Sequence, residues 1–193
     1  MAKHNSNEIL DQLINDVERI VDAVNAEFVP LDNDKLYQQP TIGKWSINQC
    51  LQHLNSTGYH YLPQIKVAIE GAVCRCQKHK EYYRSGWIGE IAVSGTRPLP
   101  NGSIPKPMKT FKKEFDPLKS EYTAISAIPE FLEQQKQLLH YLQQARQVNL
   151  GRNKITSLIP ILRFRLGDAF RFLIAHEERH IQQAKNVGKA IGV

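Results

Sequence analysis

The sequence predicts an all-α fold, a four-helix bundle, in a single domain over residues 1–193. Three observations predict it. Four segments repeat apolar residues at the three- and four-residue spacing of amphipathic helices, and no two segments alternate like a convincing pair of strands. The length and a hydrophobic fraction of 41% suit one globular domain with its own core. A long irregular insertion, residues 72–125, separates the second predicted helix from the third.

The first predicted helix covers residues 7–28. Its apolar face is Ile9, Leu10, Leu13, Ile14, Val17, Ile20, Val21 and Val24. Acidic and amide side chains lie opposite, so the helix is amphipathic. Pro30 and the polar run after it end the helix.

The second predicted helix begins after Ser46, whose hydroxyl suits an N-terminal cap, and continues to about Gly71. Its apolar stripe is Ile47, Leu51, Leu54, Gly58, Leu62, Ile65 and Ile69. Pro63 lies inside this pattern, and a proline in a helix removes one main-chain hydrogen bond. We therefore expect a kink near Tyr59.

The third and fourth helices are predicted over residues 126–148 and from Ile161 or Phe164 to Asn186. The inward face of the third is Phe131, Leu132, Leu138, Leu139, Leu142, Ala145 and Val148. The stripe of the fourth is Leu166, Phe170, Leu173, Ile181 and Ala184. Gly188 is expected to end the fourth helix.

The formal net charge of +6 is concentrated in one segment. Between Arg75 and Lys119, ten lysine or arginine residues stand against four acidic residues, so this basic segment carries the whole excess. A uniformly basic surface would favour nucleic-acid binding. A single basic segment favours a solvated loop, or the local attraction of an anion or partner, so nucleic acid is not the expected partner.

The protein is expected to be cytoplasmic and without a membrane span. Its first residues are polar and lack the apolar core of a signal peptide, and no run of about 18 uncharged apolar residues occurs. The three cysteines, Cys50, Cys74 and Cys76, are odd in number and unevenly placed. That pattern argues against a disulfide framework and suits a reducing compartment.

The strongest chemical signal is the pair His176 and His180 on the fourth predicted helix. Their spacing puts both imidazoles on one helix face, one turn apart, within reach of one metal ion. The same stretch fits the H-E-x-x-H pattern of zinc proteases. That class requires a third ligand downstream, and residues 181–193 contain no His, Glu, Asp or Cys. The protease interpretation is therefore rejected.

A third ligand has to come from elsewhere in the chain. His4 is terminal and His79 lies in a lysine-rich run, so solvated roles are expected for both. His53 and His60 share one face of the second predicted helix at positions i and i+7, and helical position alone does not choose between them. Cys50, one turn before His53, is interpreted as a small core residue rather than a fourth ligand.

Two motifs resemble those of the DinB/YfiT-like family. The first, W-S-I-N-Q-C-L-Q-H-L over residues 45–54, opens the second helix, and the second is His176-x-x-x-His180-x-x-Gln183. Members of that family are four-helix bundles with a three-histidine metal site, one ligand on helix two and two on helix four. The resemblance implies that His53, His176 and His180 bind one divalent metal ion in this chain.

The resemblance also implies a chemistry. Three neutral imidazoles leave positions open for water or substrate; zinc or nickel is expected, with iron or manganese as alternatives. The family includes transferases and isomerases that use low-molecular-weight thiols, which a bound metal activates as thiolates. We therefore expect a metal-dependent hydrolase or thiol S-transferase that acts on a small-molecule substrate.

Glu177 is the candidate catalytic residue beside the two histidines. It falls near the centre of the apolar stripe of the fourth helix, where an unpaired carboxylate is costly. Three roles are compatible with that position: an ion pair with Arg163 or Arg171, an acceptor for the ring N–H of a metal ligand, or a general base.

Two other classes of function stay open from the sequence. The protein could be a non-catalytic metal-binding interaction module, or an anion or nucleic-acid binder that acts through the basic segment. A homodimer is compatible with each of these. An enzyme should keep a cleft at the metal, whereas an interaction module should bury the histidines without an open coordination position.

The insertion is expected to contribute to the site. Loops this long are uncommon in compact domains and are usually functional, and this one carries large aromatic side chains that favour burial. We expect it to fold over the open end of the bundle and form a wall of the metal cleft, with Trp87 or Tyr83 packed inward. A mobile loop and a dimerisation surface are the alternatives.

Overall fold

The computed structural model describes residues 2–99, 101–104, 116–118, 126–159 and 161–193. Six helices and four short strands lie in these ranges. The helices are α1 Ser6–Glu27, α2 Asn33–Tyr37, α3 Ile47–Cys74, α4 Trp87–Thr96, α5 Ile128–Gln144 and α6 Leu166–Ile191. The strands are β1 Lys3–Asn5, β2 Tyr82–Arg84, β3 Lys154–Thr156 and β4 Arg163–Arg165.

Four long helices, α1, α3, α5 and α6, form the bundle. Helix α3 packs against α5 and α6, and α1 packs against the same two helices. Their apolar faces meet in one buried cluster, so burial of the predicted stripes holds the bundle together. The predicted four-helix bundle is confirmed. Nowhere in the described ranges is a helix both long and apolar enough to cross a membrane.

The helix boundaries differ most from prediction at the end of the chain. Helix α6 runs past Gly188 to Ile191, and Gly192 terminates it with a left-handed φ of +79°. Gly188 therefore lies inside the helix, and a Cβ added there would meet Val193 only at an ordinary contact distance of 3.5 Å. Helix α3 continues through Pro63 and ends at Cys74, and the kink near Tyr59 stays a prediction.

The expectation that no strands pair was wrong. Strand β1 pairs antiparallel with β2, placing His4 opposite Tyr83, and β3 pairs antiparallel with β4, placing Ile155 opposite Phe164. Each strand is only three residues long. Such short segments do not show an alternating pattern, because pairing between distant parts of the chain forms them.

The insertion is also more regular than predicted, since β2 and the ten-residue helix α4 lie within it. Tyr83 packs inward and is 3% exposed, whereas Trp87 is 65% exposed. Tyr83 lies against the start of α6, where a Cβ on Gly167 would come within 2.7 Å of its ring. The first part of the insertion therefore closes over the N-terminal end of α6.

A polar cluster fixes α4 on α6. Arg171 pairs with Glu90 at 2.5 Å and lies 3.7 Å from Asp168, and Asp168 accepts a hydrogen bond from the main-chain N–H of Gly86 at 2.8 Å. His4 adds a contact to Glu90 at 3.2 Å. The cluster joins β1, α4 and α6. Helix α4, which is part of the insertion, is therefore packed firmly against the bundle.

Five of the ten lysine and arginine residues of the basic segment fall within the described residues. Its described basic side chains are Arg75, Lys78, Lys80, Arg84 and Arg97. Arg97 follows α4 and pairs with Glu178 on α6 at 2.9 Å. The expectation that the insertion, residues 72–125, forms a wall of the metal cleft falls partly on residues 100, 105–115 and 119–125, which lie outside the described residues.

Candidate metal centre

Three histidine side chains meet between α3 and α6. His53 lies in the second turn of α3, and His176 and His180 lie one turn apart on α6. Nε2 of His53 is 3.2 Å from Nε2 of His176. One ring nitrogen from each of the three histidines lies within 4.8 Å of the others. The fold therefore brings together the three histidines that the sequence motifs had indicated.

A capping box at the start of α3 fixes the turn that precedes His53. The Ser46 hydroxyl accepts a hydrogen bond from the main-chain N–H of Gln49 at 3.2 Å, and the Gln49 side chain accepts one from the N–H of Ser46 at 2.9 Å. These two bonds satisfy main-chain donors that a helix start leaves open. The predicted cap is confirmed, and it sets where α3 begins, about two turns before the histidine.

A second hydrogen bond orients one ring of the cluster. Oε1 of Gln183 lies 3.0 Å from Nδ1 of His180, one turn along α6. Because an amide oxygen only accepts, this contact places the ring proton on Nδ1 and leaves the lone pair on Nε2. Nε2 is then the nitrogen of His180 that is free to bind a metal ion.

Aromatic rings enclose the cluster. The half-buried Trp45 has its ring centroid 5.0 Å from that of His53 and 5.7 Å from that of His180, and Phe172 stacks 5.9 Å from His176. Apolar rings against the imidazoles exclude water and lower the local dielectric, which strengthens electrostatic interactions inside the site.

Burial also sets the protonation state of the cluster. His53, His176 and His180 are 5%, 6% and 8% exposed. Burial is the main cause that lowers the pKa of His176 and His180 well below the ordinary value, and the neighbouring histidines and Arg179 lower it further. Both rings are therefore neutral near pH 7, which is the state that a metal ligand needs.

The geometry of the cluster fits a metal ion. Two nitrogens that each lie about 2.0–2.1 Å from a tetrahedral zinc ion are roughly 3.3 Å apart, and the two Nε2 atoms of His53 and His176 are 3.2 Å apart. Two neutral imidazoles that face each other in this way either share one proton or receive a cation between them. The donor set suits a divalent transition ion without selecting one metal.

Comparison with known proteins gives the family. A model described as the DinB superfamily matches residues 11–184, which include all three histidines. The chain belongs to the DinB superfamily. The family resemblance of the two sequence motifs is thereby confirmed. No curated protein matches the chain.

One solved structure shows the same fold as this DinB superfamily protein. It is YfiT from Bacillus subtilis, described as "a probable metal-dependent hydrolase with an unusual four-helix bundle topology". The TM-score is 0.50 at 12% sequence identity, and the match covers 95% of this chain and 87% of that one. At this identity the likeness concerns the fold.

Glu177 is held in the core of the DinB bundle rather than in an ion pair. Its Oε1 accepts a hydrogen bond from Nε2 of Gln135 on α5 at 3.2 Å, and no arginine in the described residues pairs with it. Arg171 instead pairs with Glu90, so the ion pair, the first of the three roles considered for Glu177, was wrong. Burial raises the pKa of Glu177 to about 8, because a charged carboxylate is costly in this position.

The other candidates considered from the sequence take structural roles. His60 bonds through Nε2 to the main-chain oxygen of Thr156 at 3.1 Å, which ties α3 to β3. Cys50 is fully buried in the core, and burial raises the pKa of its thiol. Neither belongs to the three-histidine cluster.

Sequence reasoning missed the roles of two residues near the cluster. Arg179 is 3% exposed although it is an arginine, and its Nη1 donates to the main-chain oxygen of Thr96 at 3.5 Å. Gln135 is the partner of Glu177. For Arg179, its place in the sequence could have indicated a location near the cluster. It lies between the two histidines of α6, within one helical turn of both.

Proposed function

We propose that this protein is a metal-dependent enzyme in which His53, His176 and His180 bind one divalent transition ion. The observation that carries the proposal is the convergence of three buried ring nitrogens within 4.8 Å of one another. A set of three protein ligands leaves a coordination position for a small molecule, which is typical of catalytic rather than structural sites.

The reaction class is activation of a small nucleophile, either water in a hydrolase or a low-molecular-weight thiol in an S-transferase. A bound divalent ion supplies the Lewis acidity that lowers the pKa of coordinated water or thiol. The description of YfiT as "a probable metal-dependent hydrolase" supports the hydrolase version. The thiol version is supported by the family resemblance of the two motifs.

The surrounding residues have separate tasks in this proposal. Gln183 holds the ring of His180 in the tautomer that presents Nε2, and Trp45 shields two of the three imidazoles from water. A catalytic role for Glu177 stays a prediction. If Glu177 has that role, Glu177→Gln should lower turnover without changing the metal content. The amide keeps the size of the side chain but cannot act as a carboxyl acid or base.

Activity assays on metal-loaded protein test the proposal. Protein prepared without a histidine tag is loaded with zinc, nickel, iron or manganese and assayed with nitrophenyl carboxylate and phosphate esters, and separately for loss of glutathione or cysteine in the presence of chlorodinitrobenzene. We expect metal-dependent turnover in one of the two assays.

Matched variants decide what the turnover means. His176→Ala should abolish it, and His140→Ala, an equal substitution at an exposed histidine of α5, should leave it unchanged. Metal-independent turnover, or equal loss in both variants, would contradict the proposal. Stoichiometric metal binding without turnover in either assay would favour the non-catalytic metal-binding module.

A further inference from the structure

The two small sheets carry basic side chains on their outward faces. The middle pair of each sheet points inward: His4 with Tyr83, and Ile155 with Phe164. Because side chains alternate between the two faces of a strand, the residues before and after these pairs point outward. The outward positions are Lys3, Asn5, Tyr82, Arg84, Lys154, Thr156, Arg163 and Arg165. Five of these eight are lysine or arginine, and none is acidic; we call the five the basic face.

The residues of the basic face stand next to one another. Lys3 is the Cα partner of Arg84, and Lys154 is the Cα partner of Arg165. The guanidinium of Arg165 donates to the main-chain oxygen of Arg84, which brings the two pairs together. Like charges directly opposite each other destabilise paired strands. No residue of the basic face forms an ion pair with a carboxylate in the described part of the chain, so the fold itself does not offset this repulsion.

An exposed apolar turn adjoins the basic face. It connects β3 to β4, and the main-chain N–H of Ser157 donates to the carbonyl of Leu162 at 2.9 Å to close it. In this turn Ile161 is 90% exposed and Ile159 is 38% exposed, and Arg163 follows at the start of β4. Aliphatic side chains in water are unfavourable, so the turn gains free energy when an apolar medium covers it.

We infer that the basic face and the apolar turn together form a docking surface for a membrane that contains anionic phospholipids. Ile159 and Ile161 enter the boundary between headgroups and acyl chains, and the basic face lies against the lipid phosphates. Each lysine or arginine held near such a surface strengthens binding by about five-fold. The net charge of +6 adds attraction at longer range. The protein binds this surface from one side and does not span it.

Two features favour a membrane over a nucleic acid as the partner. Single-stranded nucleic acids bind where aromatic rings are open to stacking by bases. Tyr82 is the one aromatic residue on the outward faces of the two sheets, and Nζ of Lys3 lies over its ring, 3.9 Å from the centroid. The exposed isoleucines of the turn have no role in binding a phosphate backbone, whereas they match the apolar layer below lipid headgroups.

Vesicle binding by the full chain tests the inference. Vesicles of phosphatidylcholine with about 30% phosphatidylglycerol are compared with vesicles of pure phosphatidylcholine in a flotation assay at low salt. We expect binding to the anionic vesicles to be at least about 10-fold stronger than binding to the neutral ones. Added salt should weaken it, because the ions screen the attraction.

Two variants separate the contributions of charge and apolar contact. The double variant Lys154→Gln and Arg163→Gln removes two charges of the basic face and should weaken binding to the anionic vesicles by about 10-fold or more. Ile161→Ser leaves the charge unchanged and should weaken it by about 10-fold, because the side chain no longer gains from burial. All three positions are exposed, so circular dichroism should show wild-type folding.

Matched controls lie at the opposite end of the bundle, where the end of α6 meets the start of α3. The double variant Lys44→Gln and Lys189→Gln removes two exposed charges there, so it reports the effect of net charge alone. Ile42→Ser replaces a fully exposed isoleucine in the same region. Both controls should bind the anionic vesicles like the wild type.

The inference is overturned if the wild-type protein binds neither kind of vesicle, binds both equally, or loses as much binding in the controls as in the test variants. Binding to a single-stranded oligonucleotide without vesicle binding would overturn it in favour of a nucleic-acid surface. A wild-type dimer that Ile161→Ser dissociates, again without vesicle binding, would overturn it in favour of a second copy of this chain. None of these measurements involves the three histidines, so the proposed function stands or falls separately.

Discussion

Gln183 and His180 form a hydrogen bond of 3.0 Å between Oε1 and Nδ1 within one turn of α6. The bond fixes the tautomer and orientation of one of the three clustered rings, and such supporting contacts typically contribute 10–100-fold in metal affinity. We expect Gln183→Leu to weaken zinc binding by about 10-fold or more, measured by competition with a chromogenic chelator.

The neighbouring glutamine provides the control for this prediction. Gln182 bonds to Asn186 instead of to a histidine, so Gln182→Leu makes the same chemical change on the same helix without touching the cluster. Equal zinc affinity in the two variants would show that Gln183 does not position a ligand.

Trp45 should report metal binding directly. Its ring lies against His53 and His180, whereas Trp87, the other tryptophan of the chain, is largely exposed on α4. In a Trp87→Phe protein, one equivalent of Cu²⁺ should quench most of the tryptophan emission, because a paramagnetic ion quenches over short distances. If a Trp45→Phe protein, which retains Trp87, is quenched to the same extent by one equivalent, the ion is not bound beside Trp45.

The pair Glu90 and Arg171 should stabilise the fold in a pH-dependent way. The hydrogen bond from Arg171 holds the pKa of Glu90 at about 2, below its ordinary value of 4.5. A group whose folded pKa is depressed contributes stability above its unfolded pKa and loses it as pH falls through the folded value. The contribution should therefore be complete above pH 4.5 and disappear toward pH 2.

Glu90→Gln tests this contribution. Because Glu90 is one-third exposed, solvent screening limits the expected loss to about 1–2 kcal/mol in the free energy of unfolding at pH 6. Urea unfolding at pH 6 and at pH 2.5 should show a large difference between variant and wild type only at the higher pH. A difference that is the same at both pH values would mean that the ion pair is not its source.

Two glycines of α4 should respond oppositely to alanine. A Cβ at Gly89 would come within 2.6 Å of Cγ of Asp168, whereas a Cβ at Gly95 meets nothing within 4 Å. Gly89→Ala should destabilise the protein by about 1–3 kcal/mol through overpacking, and Gly95→Ala should be neutral or stabilising by up to about 1 kcal/mol. Thermal unfolding of both variants measures this, and equal effects would contradict the close packing of α4 on α6.

The bundle was predictable because α1, α3, α5 and α6 each carry a long apolar face. Helix α4 was missed because Gly89 and Gly95 interrupt its pattern, and Gly89 is required by the approach of Asp168 rather than by any local preference. Local sequence does not record such contacts, since they depend on how distant segments pack.

The site was predictable only in part for a similar reason. The pair on α6 follows from helical spacing, but His53 and His60 differ by seven positions and so face nearly the same way, about 10 Å apart along α3. Which of them meets α6 depends on how the helices align, and the structure places His60 against Thr156 instead. The family motif at residues 45–54 supplied the choice that periodicity could not.

Metal content measured together with helical content tests the central claim most directly. Untagged protein should bind one divalent ion per chain, and His176→Ala should bind less than about a tenth as tightly, since a whole ligand is lost. The apolar faces of the bundle hold without the ion, so the far-ultraviolet circular dichroism of His176→Ala should match that of the wild type. Undiminished metal binding by a folded His176→Ala protein would contradict the three-histidine site, and an unfolded metal-free protein would make the ion structural rather than catalytic.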